Sequence, residues 1–187
     1  MKVFYGYAGP RINKNTHSLM NSFIEGFSTN YPSAEIFDAK LYDKEIGYCT
    51  GCDGCLYGEK TCIIKDDMQD LYSHVVDSDV LVLGAPTYWF NIAAQLKTFI
   101  DRLYALPSGS LHGKSIVYIT TFGDTDEKVS GAYNGMSSMK DMSDYCGAKF
   151  YTVYASTEVM DIENNVEAKA AAHEAGEKLA EELKIKN

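Results

Sequence analysis

Val3-Phe4-Tyr5-Gly6-Tyr7-Ala8-Gly9-Pro10-Arg11-Ile12-Asn13-Lys14-Asn15-Thr16 carries an apolar run of strand type, Val3 to Tyr7, straight into a loop rich in glycine, amide and hydroxyl groups. Behind the loop, Leu19, Phe23 and Phe27 recur at i, i+4 and i+8, the spacing of a helix that buries one face. A loop that opens a helix in this way offers several backbone N–H groups and the positive helix end to an anion. Arg11 and Lys14 add local positive charge, which matters because the chain as a whole would repel a phosphate. Two better-known phosphate loops fail on inspection. Asn13 stands where a Walker A loop needs glycine before its lysine, and Gly6 and Gly9 are three apart, which breaks G-x-G-x-x-G. No cysteine occurs before Cys49, so a phosphatase nucleophile in this loop is excluded. The plainer reading is a simple βα connection with Thr16 as the helix cap.

Working outward, further short apolar runs at Glu35–Phe37, Val80–Leu83, Ser115–Thr120 and Phe150–Ala155 alternate with stretches of helical period. Leu96, Phe99, Ile100 and Leu103 form one helix face, and Ala172, Gly176, Leu179 and Leu183 another. Repeated βαβ units with right-handed crossovers predict a doubly wound three-layer α/β/α fold: five parallel strands in the order 2-1-3-4-5, as one domain over residues 1–187. A cysteine-rich insertion at about residues 42–65 breaks the alternation after the second strand. Asp66 and Asp67 then read as a capping pair for the helix that begins near Met68.

The carboxyl ends of strands one and three border the crevice at the switch point of such a sheet. The third strand ends in Gly84-Ala85-Pro86-Thr87-Tyr88-Trp89-Phe90-Asn91, which puts three adjacent aromatics in a loop, with Asn91 expected to cap the next helix. Three neighbouring rings cannot all face one core, so at least one is expected to meet a ligand or a subunit. The fourth strand ends in Thr120-Thr121-Phe122-Gly123, whose amides would reach the same crevice. A phosphate site beside an aromatic wall suits a mononucleotide with a large planar ring.

The chain has 187 residues, 45% of them hydrophobic, with 17 Lys+Arg against 26 Asp+Glu and a formal charge of −9. That acidity gives no footprint for nucleic acid. The amino terminus has no export signature and no run approaches a membrane span, so a cytoplasmic, reducing setting is expected. Four of the five cysteines fall within Cys49–Cys62 as C-x2-C-x2-C-x6-C. Three ligands on one tight glycine-bearing loop favour an iron–sulfur cluster over zinc, which usually takes two separated C-x2-C pairs. Unmetallated thiols, zinc or a redox disulfide stay open. Cys146, isolated before Gly147, reads as a buried structural thiol.

Taken in order, Gly9-Pro10-Arg11-x-x-Lys14-Asn15-Thr16, the cysteine insertion running into Asp66-Asp67-Met68, Gly84-x-Pro86-x-Tyr88-Trp89 and Gln95-Leu96-Lys97-x-Phe99-Ile100-Asp101-Arg102 resemble the NADPH-dependent FMN reductase family of flavodoxin-like proteins, in its iron–sulfur flavoprotein branch. The resemblance covers about residues 1–125. It implies FMN at the switch point, with the phosphate at Gly9, Arg11, Asn13, Asn15 and Thr16. The ring would lie against Pro86, Thr87, Tyr88, Trp89 and Asn91, with Thr121, Phe122 and Gly123 at its polar edge. Gly9 replaces a serine found in many relatives, so one hydroxyl to the phosphate is lost. The resemblance further implies a [4Fe–4S] cluster on Cys49, Cys52, Cys55 and Cys62, NAD(P)H as a possible electron donor, a small-molecule or protein redox partner, and a homodimer or homotetramer. The chemistry would be centred on the flavin, with no side chain acting as a catalytic base. Alternatives are a cluster-free NAD(P)H:quinone or flavin reductase, a non-enzymatic flavodoxin-like electron carrier, and a metal-binding interaction module.

Overall fold

A computed structural model describes residues 1–58 and 61–185; Glu59 and Lys60, within the expected cysteine insertion, and Lys186 and Asn187, at the end of the expected domain, lie outside the described residues. In chain order the elements are β1 (Lys2–Tyr7), α1 (Asn15–Asn30), β2 (Glu35–Asp38), a short α2 (Gly54–Tyr57), α3 (Met68–Asp77), β3 (Val80–Gly84), a two-stranded hairpin of β4 (Thr87–Tyr88) and β5 (Asn91–Ile92), α4 (Ala94–Arg102), β6 (Ser115–Phe122), α5 (Ala132–Tyr145), β7 (Lys149–Ser156) and α6 (Val166–Lys184). The main sheet is parallel throughout, in the order β2-β1-β3-β6-β7. Apart from the hairpin this is the 2-1-3-4-5 arrangement that the alternation predicts.

Period-2 alternation splits the central strands between two cores. Val3, Tyr5 and Tyr7 of β1 pack with Val80 and Val82 of β3 under Leu19, Phe23 and Phe27 of α1 and Leu179 of α6. On the other face Phe4, Leu81 and Leu83 meet Leu71 of α3, Phe99 of α4 and Met139 of α5. All five residues of β3 and all eight of β6 are buried, as central parallel strands require, whereas the edge strands β2 and β7 are largely open. The helices α1 and α6 approach through glycine, since a Cβ at Gly26 would lie 2.0 Å from the His173 carbonyl oxygen and one at Gly176 2.1 Å from that of Phe23. Only hydrogen fits at either position.

Three local expectations are corrected. Asn91 does not cap α4, whose N-cap is Ala93; it pairs with Tyr88 in the hairpin, and its own Oδ1 accepts the Ile92 N–H at 2.8 Å. Thr16 lies inside α1 rather than at its cap, which is Lys14. Asp67 does hold the N-cap position of α3 and Asp66 does accept the Met68 N–H at 3.1 Å, but the Asp67 carboxylate makes no cap bond and accepts from the Glu45 N–H at 2.8 Å, and the main partner of Asp66 is Arg102. Cys146 is half-buried, and burial pushes its thiol up.

The hairpin turn has an unusual composition. A two-residue connection between twisted antiparallel strands needs positive φ at both positions, for which Asn-Gly is preferred. Here Trp89 and Phe90 occupy them at φ 45° and 65°. Left-handed backbone under bulky residues costs on the order of 1–3 kcal/mol each and persists only where the surroundings enforce it. They do so here, because Asn134 of α5 donates to the Phe90 carbonyl at 3.1 Å and Gly131 lies so close that a Cβ would reach within 2.4 Å of the Phe90 Cα.

Candidate functional site

All three loops expected to form the crevice leave the carboxyl edge of the sheet and meet there. Tyr7, Arg11, Lys14, Asn15 and Thr16 from the β1–α1 connection, Pro86, Thr87 and Tyr88 from the segment after β3, and Thr121, Phe122, Gly123 and Thr157 from the ends of β6 and β7 line one cavity of about 90 Å³. Direct contacts tie the loops together. Arg11 Nη2 donates to the Tyr88 hydroxyl at 3.3 Å, Thr16 and Thr121 share a buried hydrogen bond at 2.6 Å, and Thr87 pairs with Thr120 at 3.1 Å.

The α1 amino terminus faces this cavity without a side-chain cap and without an acidic residue in its first turn. Orphan N–H groups and the positive helix end are therefore left for an external acceptor. Asn13 enters the helix through a left-handed turn at φ 58°, its N–H donating to His17 Nδ1 at 3.1 Å. Burial draws the His17 pKa below its ordinary value against the opposing charge of Asp38, which agrees with an unprotonated Nδ1 acting as acceptor. Tyr7 remains a donor: burial and then Tyr88 push its phenol up to about 12, against the pull of Arg11, and it donates to the Arg11 carbonyl at 2.9 Å.

Four of the expected contacts do not line the cavity. Trp89 is 93% exposed at the hairpin tip. Asn91 is used within the hairpin and Asn13 in the turn. Gly9 serves close packing, because a Cβ there would lie 2.3 Å from the Tyr7 hydroxyl and 2.9 Å from Pro86 Cδ. The Tyr7 phenol thus takes the space a Gly9 side chain would need. Alanine at Gly9 is expected to displace Tyr7 and, if the crevice holds the flavin that the sequence resemblance implies, to weaken its binding about tenfold, roughly 1.4 kcal/mol, with Tyr7→Phe in the same chain restoring part of it. Flavin titration of the single and double variants checks this. Asn15 reaches the cavity, yet its side-chain nitrogen donates to Asp161 at 2.8 Å and its oxygen accepts from the Ile162 N–H at 2.8 Å, so it also moors the segment before α6. Tyr7, Lys14 and Thr157 line the cavity in addition to the expected contacts; Lys14 is marked by its charge and Tyr7 by its place at the end of β1, whereas nothing in the sequence brings Thr157 here.

A second cavity of about 70 Å³ is lined by Cys49, Cys52, Cys55 and Cys62 together with Ile63, Ile64 and the end of α4 at Arg102. All five cysteines are free thiols. Left-handed turns at Gly51 and Asp53 bend the loop, and Gly54 lets it close on Ile63, whose Cγ2 would lie 2.8 Å from an added Cβ. Among the described residues no three His, Cys, Asp or Glu side chains gather as one metal ion requires. A zinc ion draws four ligands to within about 2.3 Å of a single point. A cubane takes each thiolate on a different iron, and its ligands stand further apart. The donor set, four thiols on one cavity with a buried Arg102 Nε lacking a hydrogen-bond partner, fits an anionic sulfur-rich group.

A family model described as flavodoxin-like fold matches residues 1–183. The chain is 38% identical over 140 residues to an iron-sulfur flavoprotein of Archaeoglobus fulgidus, covering 72% of this chain and 61% of that protein. It is 28% identical over 127 residues to an FMN-dependent NADH:quinone oxidoreductase of Legionella pneumophila, covering 64% and 56%. The match thus spans about three fifths of the length of these curated relatives. An FMN-dependent NADH-azoreductase of Bacillus anthracis, solved with FMN bound, superposes with a TM-score of 0.71 at 17% identity, covering 98% of this chain and 99% of that one.

Proposed function

Since the chain belongs to the flavodoxin-like fold family and counts iron-sulfur flavoproteins among its relatives, we propose that it is an FMN-dependent oxidoreductase passing electrons from NAD(P)H or a reduced carrier to a small-molecule or protein acceptor. The observation that carries this reading is the uncapped amino terminus of α1, flanked by Arg11 and Lys14 and opening on the cavity walled by Pro86, Thr87 and Tyr88. Bound FMN supplies two-electron and one-electron chemistry. The chain's part is to hold the phosphate on the first-turn N–H groups and Arg11, to set the ring against Thr87 and Tyr88, and to keep Thr16 and Thr121 locked beneath it. A neutral His17 behind the loop adds no charge next to the phosphate. No side chain in the cavity is needed as a general base, because the redox chemistry would be supplied by FMN.

Cys49, Cys52, Cys55 and Cys62 are the residues that would hold a [4Fe–4S] cluster, which would serve as a one-electron store at the far end of α4 from the flavin wall. Assembly as a homodimer or homotetramer would supply the outer wall that the exposed Trp89 and Phe90 leave open. Among the described residues no helix is long and apolar enough to cross a membrane.

The test is anaerobic. FMN-loaded protein mixed with NADH or NADPH should bleach in the flavin bands and recover on addition of a quinone. Reduction by neither nucleotide, with rapid exchange of single electrons with a small redox protein, would favour the carrier reading that the −9 charge also suits.

A further inference from the structure

Arg102 closes α4, is 1% exposed, and spends four of its N–H groups on the cysteine segment. Nη1 donates to the Gly47 carbonyl at 2.7 Å and to Asp66 Oδ2 at 2.6 Å; Nη2 donates to Asp66 Oδ1 at 3.0 Å and to the Ile64 carbonyl at 3.4 Å. Gly47 lies two residues before Cys49 and Ile64 two residues after Cys62, so a single guanidinium fastens both ends of the segment that carries the four thiols. Tyr72 in turn donates to the Arg102 carbonyl at 3.1 Å and fixes the end of the helix. The fifth donor, Nε–H, is buried with no hydrogen-bond partner, and Arg102 lines the thiol cavity. Buried donors are nearly always paired, so one left over beside four sulfur ligands points to an acceptor that belongs in the cavity. Lysine could not do the same, having no planar fork to span Gly47, Asp66 and Ile64 while keeping a separate donor for the cavity.

We propose that Arg102 is a positioning residue for the iron–sulfur site: its Nη groups hold both ends of the Cys49–Cys62 segment, and its Nε–H donates to a sulfur of the cluster bound there. This rests on the cluster reading above. A hydrogen bond from a cation to cluster sulfur stabilises the reduced, more negative state and so raises the reduction potential. Because α4 runs from Ala94 to Arg102 and rises about 1.5 Å per residue, Arg102 lies about 12 Å along the helix from the end that follows the proposed flavin wall, too far to touch the flavin.

The test compares wild-type protein, Arg102→Lys and Tyr72→Phe, all purified anaerobically with iron, sulfide and FMN quantified. Arg102→Lys should keep its FMN potential while the cluster potential falls by about 59 mV or more, a tenfold change in its one-electron equilibrium. Tyr72→Phe keeps the Nε–H but removes a hydroxyl that lies against both Arg102 and Cys62, so it should shift the cluster potential less than Arg102→Lys does. Should Arg102→Lys fail to fold, the wild-type protein labelled with 15N at arginine Nε decides. The reduced cluster should show a 15N coupling, and the other arginine, Arg11, lies at the flavin crevice. An unshifted cluster potential in iron-loaded Arg102→Lys, or no 15N coupling, overturns the proposal. Wild-type protein that carries FMN and no iron overturns the cluster reading and this inference together, and iron analysis tells that failure apart from the other two.

Discussion

Asp66→Ala is expected to lower the unfolding free energy by about 3–5 kcal/mol, the usual cost of removing one partner from a buried ion pair. Asp66 is 13% exposed and Arg102 1%, and the carboxylate accepts two bonds from the guanidinium as well as the N–H groups of Gly47 and Met68. Truncation leaves a buried cation and two backbone donors without their acceptor. Burial would raise the Asp66 pKa, but the hydrogen bond from Arg102 and those from Gly47 and Met68 outweigh it and hold the carboxyl below its ordinary range. A group whose folded pKa is depressed contributes its stability above the unfolded pKa, about 3.9, and loses it as pH falls through the folded value. The stability gap between wild type and Asp66→Asn should therefore be full at neutral pH and narrow as the solution is acidified below about pH 4. Denaturant titrations of both chains across that range measure it. A gap independent of pH would mean that the carboxylate's charge contributes nothing.

Gly176→Ala should cost a net of about 2 kcal/mol. Alanine is the better helix former by about 1 kcal/mol, so propensity alone predicts stabilisation. Packing opposes it, since the new Cβ would lie 2.1 Å from the Phe23 carbonyl oxygen and 2.7 Å from the Phe27 nitrogen. Those are backbone atoms of α1 and cannot rotate away, so the overpacking cost sits at the upper end of the usual 1–3 kcal/mol. Gly26→Ala should behave alike through the His173 carbonyl oxygen at 2.0 Å. Because the other end of α1 is the proposed phosphate site, both variants should bind FMN more weakly as well as unfold earlier. Chemical denaturation and flavin titration read the two effects separately, and a stabilised Gly176→Ala would contradict the helix contact.

The sheet was legible because its alternation is strict: Val3, Tyr5 and Tyr7 face one core and Phe4 the other, and β3 and β6 are buried end to end. Strand ends follow from where glycine, proline and hydroxyl residues begin, and those ends put the three loops on one edge. The hairpin was hidden because Trp89-Phe90 gives none of the chemistry by which a two-residue turn is recognised, and what enforces it comes from Gly131 and Asn134, some 40 residues on. The second role of Asn15, mooring the segment before α6, was hidden for the same reason, since Asp161 and Ile162 are brought to it only by the folded chain. Arg102 could be placed on α4, but its bonds to Gly47, Ile64 and Asp66 depend on the path of an insertion that has no periodicity.

The account turns on an anion held at the α1 amino terminus, and paired fluorescence titrations with FMN and riboflavin test it most directly, because the two ligands differ only in the phosphate. Charge-assisted hydrogen bonds contribute about 1.5–3 kcal/mol, so wild-type protein should bind FMN at one per chain and riboflavin at least about tenfold more weakly, with Arg11→Ala closing part of the difference. Equal affinity for the two, or no binding of either, would contradict it.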